Sequence, residues 1–413
     1  MATDIKDVIH TVDAAAVMGL LRGRPRLLAL GEPTHDDGVL LDVRNELFRQ
    51  LVEQEGYRTI TVESDCLRGL LVDDYVTTGT GTLDEVMERG FSHGWGAYDG
   101  NRALVRWMRA FNDGRPEADL LRFAGFDGPL EITGAESPRE ALTALHGFLS
   151  TRLDTDLIDA TCAMETLDRL LGPDDRWTHP AVMTDPGQSV GQSADATELR
   201  LLADDLVALL DAHGPHLMAT SSRDDWDRAR LYGRTATGLL RYHYWLADTS
   251  PDRITRLVSL RDRMMADNLL AVAGVDADAV GSAGAADRAP VLVHAHNGHL
   301  QRSRSSMRMG GRPVEWWSAG AIVSTRLGQE YAFFATALGT LRHQGVDTPP
   351  QNTVEGLLYA GPEECAVVDA RGLAATLGDA LPTAPRVSPW FGYAPLDPAQ
   401  LTGIEGVVFV KDA

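Results

Sequence analysis

At 413 residues, with 44% hydrophobic and 23% charged side chains, the chain has the make-up of an ordinary globular protein large enough for one or two cores. Its formal net charge of −21 argues against a nucleic-acid partner, because phosphate backbones need a cationic face. No run approaches the ~20 apolar residues that span a bilayer, Met1 to Asp13 carries no apolar leader, and Cys66, Cys162 and Cys365 are too few and scattered for a disulfide framework, so a cytoplasmic location without membrane contact is expected.

The first apolar run, Leu27-Leu28-Ala29-Leu30, is short and aliphatic, closes on Gly31 and leads into Glu32 and His35. It reads as a strand delivering a carboxylate and an imidazole to its carboxyl edge, where α/β folds bind ligands. Residues 40–56 then place Leu40, Leu41, Leu47, Phe48, Leu51 and Val52 on one helical face and stop at Gly56. The β-branched run Arg58-Thr59-Ile60-Thr61-Val62 ends in Glu63, helical segments follow at 67–75, 83–88 and 103–111, and a further strand is expected at 121–124. This alternation predicts an α/β fold with a mostly parallel central sheet flanked by helices.

From about residue 137 to 273 the pattern becomes helix after helix: one or two over 139–171, then 196–212, 224–246 and 255–272. Stretches 173–195 and 274–290, rich in Gly, Ser, Ala, Asp or Pro, interrupt or bound them as connectors or covers. Strands return at 291–293, 331–336, 364–369 and 406–410, the first running into His294, His296 and His299. The expected organisation is an α/β catalytic core from 1–136 and 290–413 with a helical insertion or cap at 137–289.

Taken singly, each polar group has a structural reading: Glu32 and Glu63 as helix caps or partners of Arg44, and His35 as a satisfied buried histidine. Their gathering at three strand ends favours a common site. No GxSxG elbow occurs and no cysteine sits in a supporting motif, so water is the expected nucleophile. His35 is the natural base near neutral pH. Glu32 or Glu63 would orient its ring, Arg44 would hold that carboxylate, and His296 and His299 would polarise a carbonyl or donate to its oxyanion. On spacing alone, His294-x-His296-x-x-His299 also suits zinc or manganese, although His294 reads better as a supporting or packed residue.

The polar blocks follow one another in a fixed order. Gly31-Glu32-Pro33-Thr34-His35 has Arg44 nine residues past the histidine, and Glu63 closes the next strand before Val72-Asp73-Asp74-Tyr75-Val76. Trp95, then Trp107, Arg109 and Asn112, then Gly125-Phe126-Asp127 come next. Arg261, Asp262, Met265, Ala266 and Asn268 precede the final block, Ala295-His296-Asn297-Gly298-His299. Over roughly residues 20 to 335 this succession resembles the erythromycin esterase family. The resemblance implies hydrolysis of an ester or lactone in a bulky, macrolide-like natural product, without metal or other cofactor, at a site made of Glu32, His35, Arg44, Glu63, His296 and His299. One position departs from the family: Asp36 and Asp37 stand where a glycine usually follows the first histidine, which changes the shape and charge of the rim. Asp36, His93, Trp95, Asp127, Arg261 and Trp316 are expected to contact the small-molecule substrate, the aromatic rings as walls for an apolar body. Two further readings stay open: a lyase, dehydratase or cyclase using the same His/Glu set on a polyketide-like substrate, and a protein that sequesters its ligand without turnover.

Overall fold

The computed structural model describes residues 5–35, 38–131, 134–275, 288–309, 311–388 and 392–413. In chain order its strands are β1 (Ile9–His10), β2 (Leu27–Glu32), β3 (Thr59–Asp65), β4 (Arg122–Asp127), β5 (Leu130–Glu131), β6 (Gly134–Ala135), β7 (Val291–His296), β8 (Arg304–Met309), β9 (Arg312–Trp317), β10 (Tyr331–Thr340), β11 (Cys365–Asp369) and β12 (Gly406–Asp412). The chain divides into two compact units: Met1–Glu63, Arg68–Gly125 and Leu269–Ala413 form the first, Ser64–Leu67 and Phe126–Asn268 the second.

The first unit is built on an eight-stranded sheet in the order β1-β11-β12-β10-β2-β7-β3-β4. The run from β12 through β10, β2 and β7 to β3 is parallel, whereas β11 and β1 are added antiparallel. The expected class, α/β with a mostly parallel central sheet and flanking helices, is the one observed. Its central strands are apolar on both faces because helices cover both, and every residue of β10 is buried. Helix Gly38–Glu55 supplies one such cover, packing Leu47, Phe48, Leu51 and Val52 against Leu28, Leu30, Ile60 and Leu292 of the sheet core. It ends at Gly56, whose φ of +69° is the left-handed stop that glycine adopts without strain. Helices Arg68–Thr78, Leu83–Arg89 and Asp99–Asn112 connect β3 to β4, the second opening on a reciprocal Thr82–Glu85 capping box.

Where the sheet approaches the polar residues, its ladder opens. Strands β10 and β2 pair from Tyr331↔Leu27 to Phe334↔Leu30 and then part. The side chain of Asn297 takes the vacated place: Nδ2 donates to the Thr336 carbonyl at 2.8 Å, and Oδ1 accepts from the Thr336 N–H at 3.2 Å. The amide thereby stands in for a strand backbone, satisfying both polar groups of a buried residue. Gly31 makes room for it, since a Cβ there would collide with Asn297 Oδ1.

The second unit is mainly helical, with Arg139–Ser150, Thr155–Cys162, Met164–Leu171, Ala194–Ala212, Gly214–Thr220 and Arg223–Leu246, and with β5 and β6 paired antiparallel. Residues 139–171 form three helices rather than one or two, because Asp154 caps a fresh start by accepting from the Asp156 N–H. Within 173–195, Val182 is buried with Leu239, Tyr242, Leu246 and Leu257, and Arg253 donates to the carbonyls of Val182, Met183 and Leu246. That stretch is therefore tied into its unit's core. Residues 276–287 of the second connector lie outside the described residues. Among the described residues no helix is long and apolar enough to cross a membrane.

Candidate active site

Three parallel strands of the first unit deliver polar residues to their carboxyl ends. Glu32 is the last residue of β2, Glu63 lies near the end of β3, and His294 and His296 end β7. Register places Glu32 directly opposite His296 and Leu30 opposite His294, so pleat alternation puts Glu32 and His294 on one face as diagonal neighbours. His299 follows on the short helix Asn297–Leu300. His35 lies three residues beyond β2, in a segment held by distant contacts: Gln344 accepts from Thr34 Oγ1 and donates to the His35 carbonyl, both at 3.0 Å, and the Ala394 N–H donates to the Pro33 carbonyl at 2.7 Å.

Glu32 sits between two imidazoles. Its Oε1 is 2.6 Å from His35 Nδ1, and its Oε2 is 3.2 Å from His294 Nε2. Burial by itself would raise this carboxyl, but contact with His294 and His35 more than reverses the effect and holds it well below the usual carboxylate range. Burial pushes the His294 imidazole down, with the Glu32 charge opposing. Its Nδ1 lies 3.2 Å from the Leu30 carbonyl, so the ring is positioned between that carbonyl and Glu32, with one N–H to give to either in its neutral form. With Nδ1 on Glu32, His35 presents Nε2 toward Glu63 Oε1 across 4.0 Å, and a third of its side chain stays exposed.

Glu63 is almost completely buried and spans the other side. Its Oε2 accepts from the His296 N–H at 2.8 Å, and its Oε1 lies 3.3 Å from His299 Nε2. His296 has a defined tautomer: Nε2 donates to the Gly392 carbonyl at 3.0 Å while Nδ1 accepts from the Gly298 N–H at 3.3 Å. Burial, reinforced by His35, pushes this imidazole down to about 4, so it is neutral at physiological pH. Arg44, 1% exposed, bonds Asn45 Oδ1 through Nε and Nη2, and Asn45 in turn donates to the Gly100 carbonyl. Burial pushes the guanidinium down to about 10, with Glu32 opposing through space. Arg44 therefore acts on Glu32 as a nearby positive charge rather than as a clamp.

Aromatic rings frame the cluster. His35 packs 5.1 Å from Trp95 and 5.3 Å from His296, and His299 lies 6.4 Å from Trp316. His93, 5.6 Å from Trp95, has a φ of +57°, the only positive value on a non-glycine among the described residues, and such backbone strain concentrates at working sites. Trp316 comes from the β8–β9 hairpin, an element absent from the expected strands. Alternation along β9 buries Trp316 and leaves Trp317 55% exposed. In the second unit, Asp127 and Arg261 pair with each other, Nη2 to Oδ2 at 2.7 Å and Nε to Oδ2 at 3.0 Å. Asp36 and Asp37 lie outside the described residues. Among the described residues no group of three or more His, Cys, Asp or Glu has the geometry to hold a metal ion.

The sequence reading passed over Gln344, Gly392 and Ala394. They reach the site from 96 to more than 300 residues away along the chain, with no local motif to mark them. His294 carried a signal, its place two residues before His296 on the same strand face.

Comparison with solved structures supports the fold. The chain aligns with a Bacillus cereus protein at 16% identity and a TM-score of 0.68, over 97% of this chain and 93% of that one. A succinoglycan biosynthesis protein aligns at 15% identity and a TM-score of 0.69, over 99% and 95%. An erythromycin esterase variant in its open conformation aligns at 16% identity and a TM-score of 0.63, over 94% and 90%. No curated protein sequence matches. The family model for erythromycin esterase matches residues 52–401, beginning after the block that carries Glu32, His35 and Arg44. With most of its length covered by that model, this chain belongs to the erythromycin esterase family.

Proposed function

We propose that the protein hydrolyses an ester or lactone bond in a bulky natural product, using water activated by His35. The observation that carries this reading is the Glu32–His35 contact of 2.6 Å, which leaves Nε2 facing Glu63 Oε1 across 4.0 Å. A water oxygen at about 2.8 Å from each atom fits that span, its two hydrogens held by His35 and Glu63 and its lone pairs turned outward. The two carboxylates then have separate tasks: Glu32 orients the imidazole and stabilises its cation, and Glu63 orients the water.

In the step itself, the water proton passes to His35 Nε2 as the oxygen attacks the substrate carbonyl carbon. His299, whose Nε2 lies 3.3 Å from Glu63 Oε1, is assigned to the oxyanion in its doubly protonated form, Nε2 held by Glu63 and Nδ1 donating to the substrate oxygen, and such a donor contributes about 3 kcal/mol. The tetrahedral intermediate expels the alkoxide, which takes back the proton from His35, leaving acid and alcohol. His296, with both ring nitrogens engaged, supports the turn that carries His299. Trp95, Trp316 and His93 provide the apolar walls that a macrolide-sized ring would need.

The test is a mass-spectrometric screen of chelator-treated protein against macrolides and other lactones. A product heavier by one water, absent with His35→Ala, supports the reading. Loss of water or isomerisation would replace it with a lyase or cyclase. Turnover only after a divalent metal is restored would overturn the water-activation scheme, and tight binding without product would identify a sequestering protein.

A further inference from the structure

At the amino-terminal ends of β2, β10 and β12, opposite the edge that carries Glu32 and His296, lies a cavity of about 360 Å³. Arg22, Arg302 and Arg371 line it, with Glu405 as its single carboxylate and Ser324 and Gln329 as neutral polar groups. Glu405 is already committed. Its Oε2 accepts from the Phe333 N–H at 2.8 Å, while one oxygen, Oε1, takes both Arg371 Nη2 at 2.8 Å and Arg302 Nη1 at 3.1 Å. Two guanidiniums thus meet on the same oxygen atom, and the third, Arg22, has no ion pair among the described residues. Arg302 is further tied down, Nη1 donating to the Gly403 carbonyl at 3.0 Å and Nη2 to the Tyr331 carbonyl, so Arg371 and Arg22 carry the cluster's open N–H groups. The cavity therefore holds an excess of two positive charges, in a chain whose overall charge is −21. Like charges brought together in a recess repel, and acidic side chains were abundant in this sequence to neutralise them. Two guanidiniums on one carboxylate oxygen beside a third without an ion pair are instead the arrangement that receives an anion from solution, because guanidiniums present forked N–H pairs to phosphate oxygens.

We propose that this cavity binds the phosphate group of a small molecule, at a site separate from the Glu32–His35–Glu63 cluster. Inorganic phosphate and a phosphorylated metabolite share the recognised chemistry. The site does not depend on the hydrolase reading, so it can be tested whether or not a substrate is found.

The experiment is calorimetric titration of the full chain with inorganic phosphate, and separately with glycerol phosphate, against a sodium chloride blank of equal ionic strength. Saturable binding of one equivalent is expected. Arg22→Gln should weaken it about tenfold, the loss of one charge-assisted contact. Because Arg22 is exposed and has no ion pair, that variant should melt at the wild-type temperature. Arg371→Gln should weaken binding at least as much, and it serves as the second variant. Tighter binding of glycerol phosphate than of phosphate would place the ligand among phosphorylated metabolites, and the reverse order would assign the site to the free anion. No heat beyond the chloride blank, or equal affinity in wild type and both variants, would overturn the proposal.

Discussion

Replacing Gly31 by alanine adds one methyl group, and the structure says where it goes. The new Cβ would collide with Asn297 Oδ1 and approach Asn297 Cγ and Phe333 Cε2 to 3.1 Å. Phe333 can give way by a few tenths of an ångström, but Asn297 cannot yield without releasing the Thr336 N–H and carbonyl that it holds at 3.2 and 2.8 Å. Beyond Phe334, β2 no longer pairs with β10, so no strand stands by to replace those bonds. Two buried backbone groups left unsatisfied cost about 1–3 kcal/mol each, giving about 2–6 kcal/mol for Gly31→Ala. This is a large part of the stability of an ordinary domain. Urea unfolding followed by circular dichroism, in Gly31→Ala, Asn297→Ala and the double variant, measures it. Asn297→Ala removes the same bonds and also the atom that is struck, so the double variant should be barely less stable than Asn297→Ala alone. A strongly non-additive cycle is expected. Additive costs, or a Gly31→Ala change below about 0.5 kcal/mol, would refute the idea that the asparagine amide serves as a surrogate strand.

Three further outcomes follow from the site and the helical unit. Glu32→Gln removes the charge that stabilises the His35 cation at 2.6 Å, so kcat on any turned-over ester should fall on the order of 10²-fold with KM little changed; an unaltered kcat would transfer the orienting role to Glu63. Gln344→Ala deletes both 3.0 Å bonds to the Thr34–His35 segment and should speed amide exchange there while lowering kcat roughly tenfold; wild-type exchange would show that the segment is held elsewhere. His243, buried with Nε2 on the Glu136 carbonyl at 2.8 Å, is pushed down to about 4 by burial. Its folded midpoint lies below the unfolded value of about 6.5, so the unfolded chain takes the proton first, and stability is lost as pH falls from about 6.5 toward 4, by at most about 3 kcal/mol. Melting temperatures between pH 7.5 and 4.5 should therefore fall less steeply in His243→Gln than in wild type, and parallel slopes would rule this histidine out as the source.

Much of the fold could be read from local pattern. Helices expected at 40–56, 196–212 and 224–246 are found at Gly38–Glu55, Ala194–Ala212 and Arg223–Leu246, because apolar spacing and terminal caps are short-range signals. Strand ends were less legible. The apolar run Val291-Leu292-Val293 continues as a strand to His296, since Leu30, Gly31 and Glu32 supply its ladder partners whatever the polarity of the side chains. Likewise β10 extends to Thr340 because β12 pairs with it as far as Asp412. The β8–β9 hairpin is absent from the expected strands although Gly310-Gly311 between alternating segments is its signal, and β1 owes its two residues to pairing with Val367 and Val368 far downstream.

The sequence by itself determined which chemistry is available: two carboxylates and three of the histidines, each set at or just past the end of an apolar run that has little choice but to be a strand. It also determined the class of sheet, because runs apolar on both faces separated by helices fold in few other ways. Only the tertiary structure decided that Glu32 serves His35 and His294 while Glu63 serves His296 and His299, since that division follows from the order and register of β2, β7 and β3. It alone decided that Gln344, Gly392 and Ala394 hold the site, and that Arg22, Arg302 and Arg371 share one cavity. Contacts between residues so far apart along the chain are paid for in chain entropy only once the whole sheet has formed, so they leave no periodicity in the sequence to read.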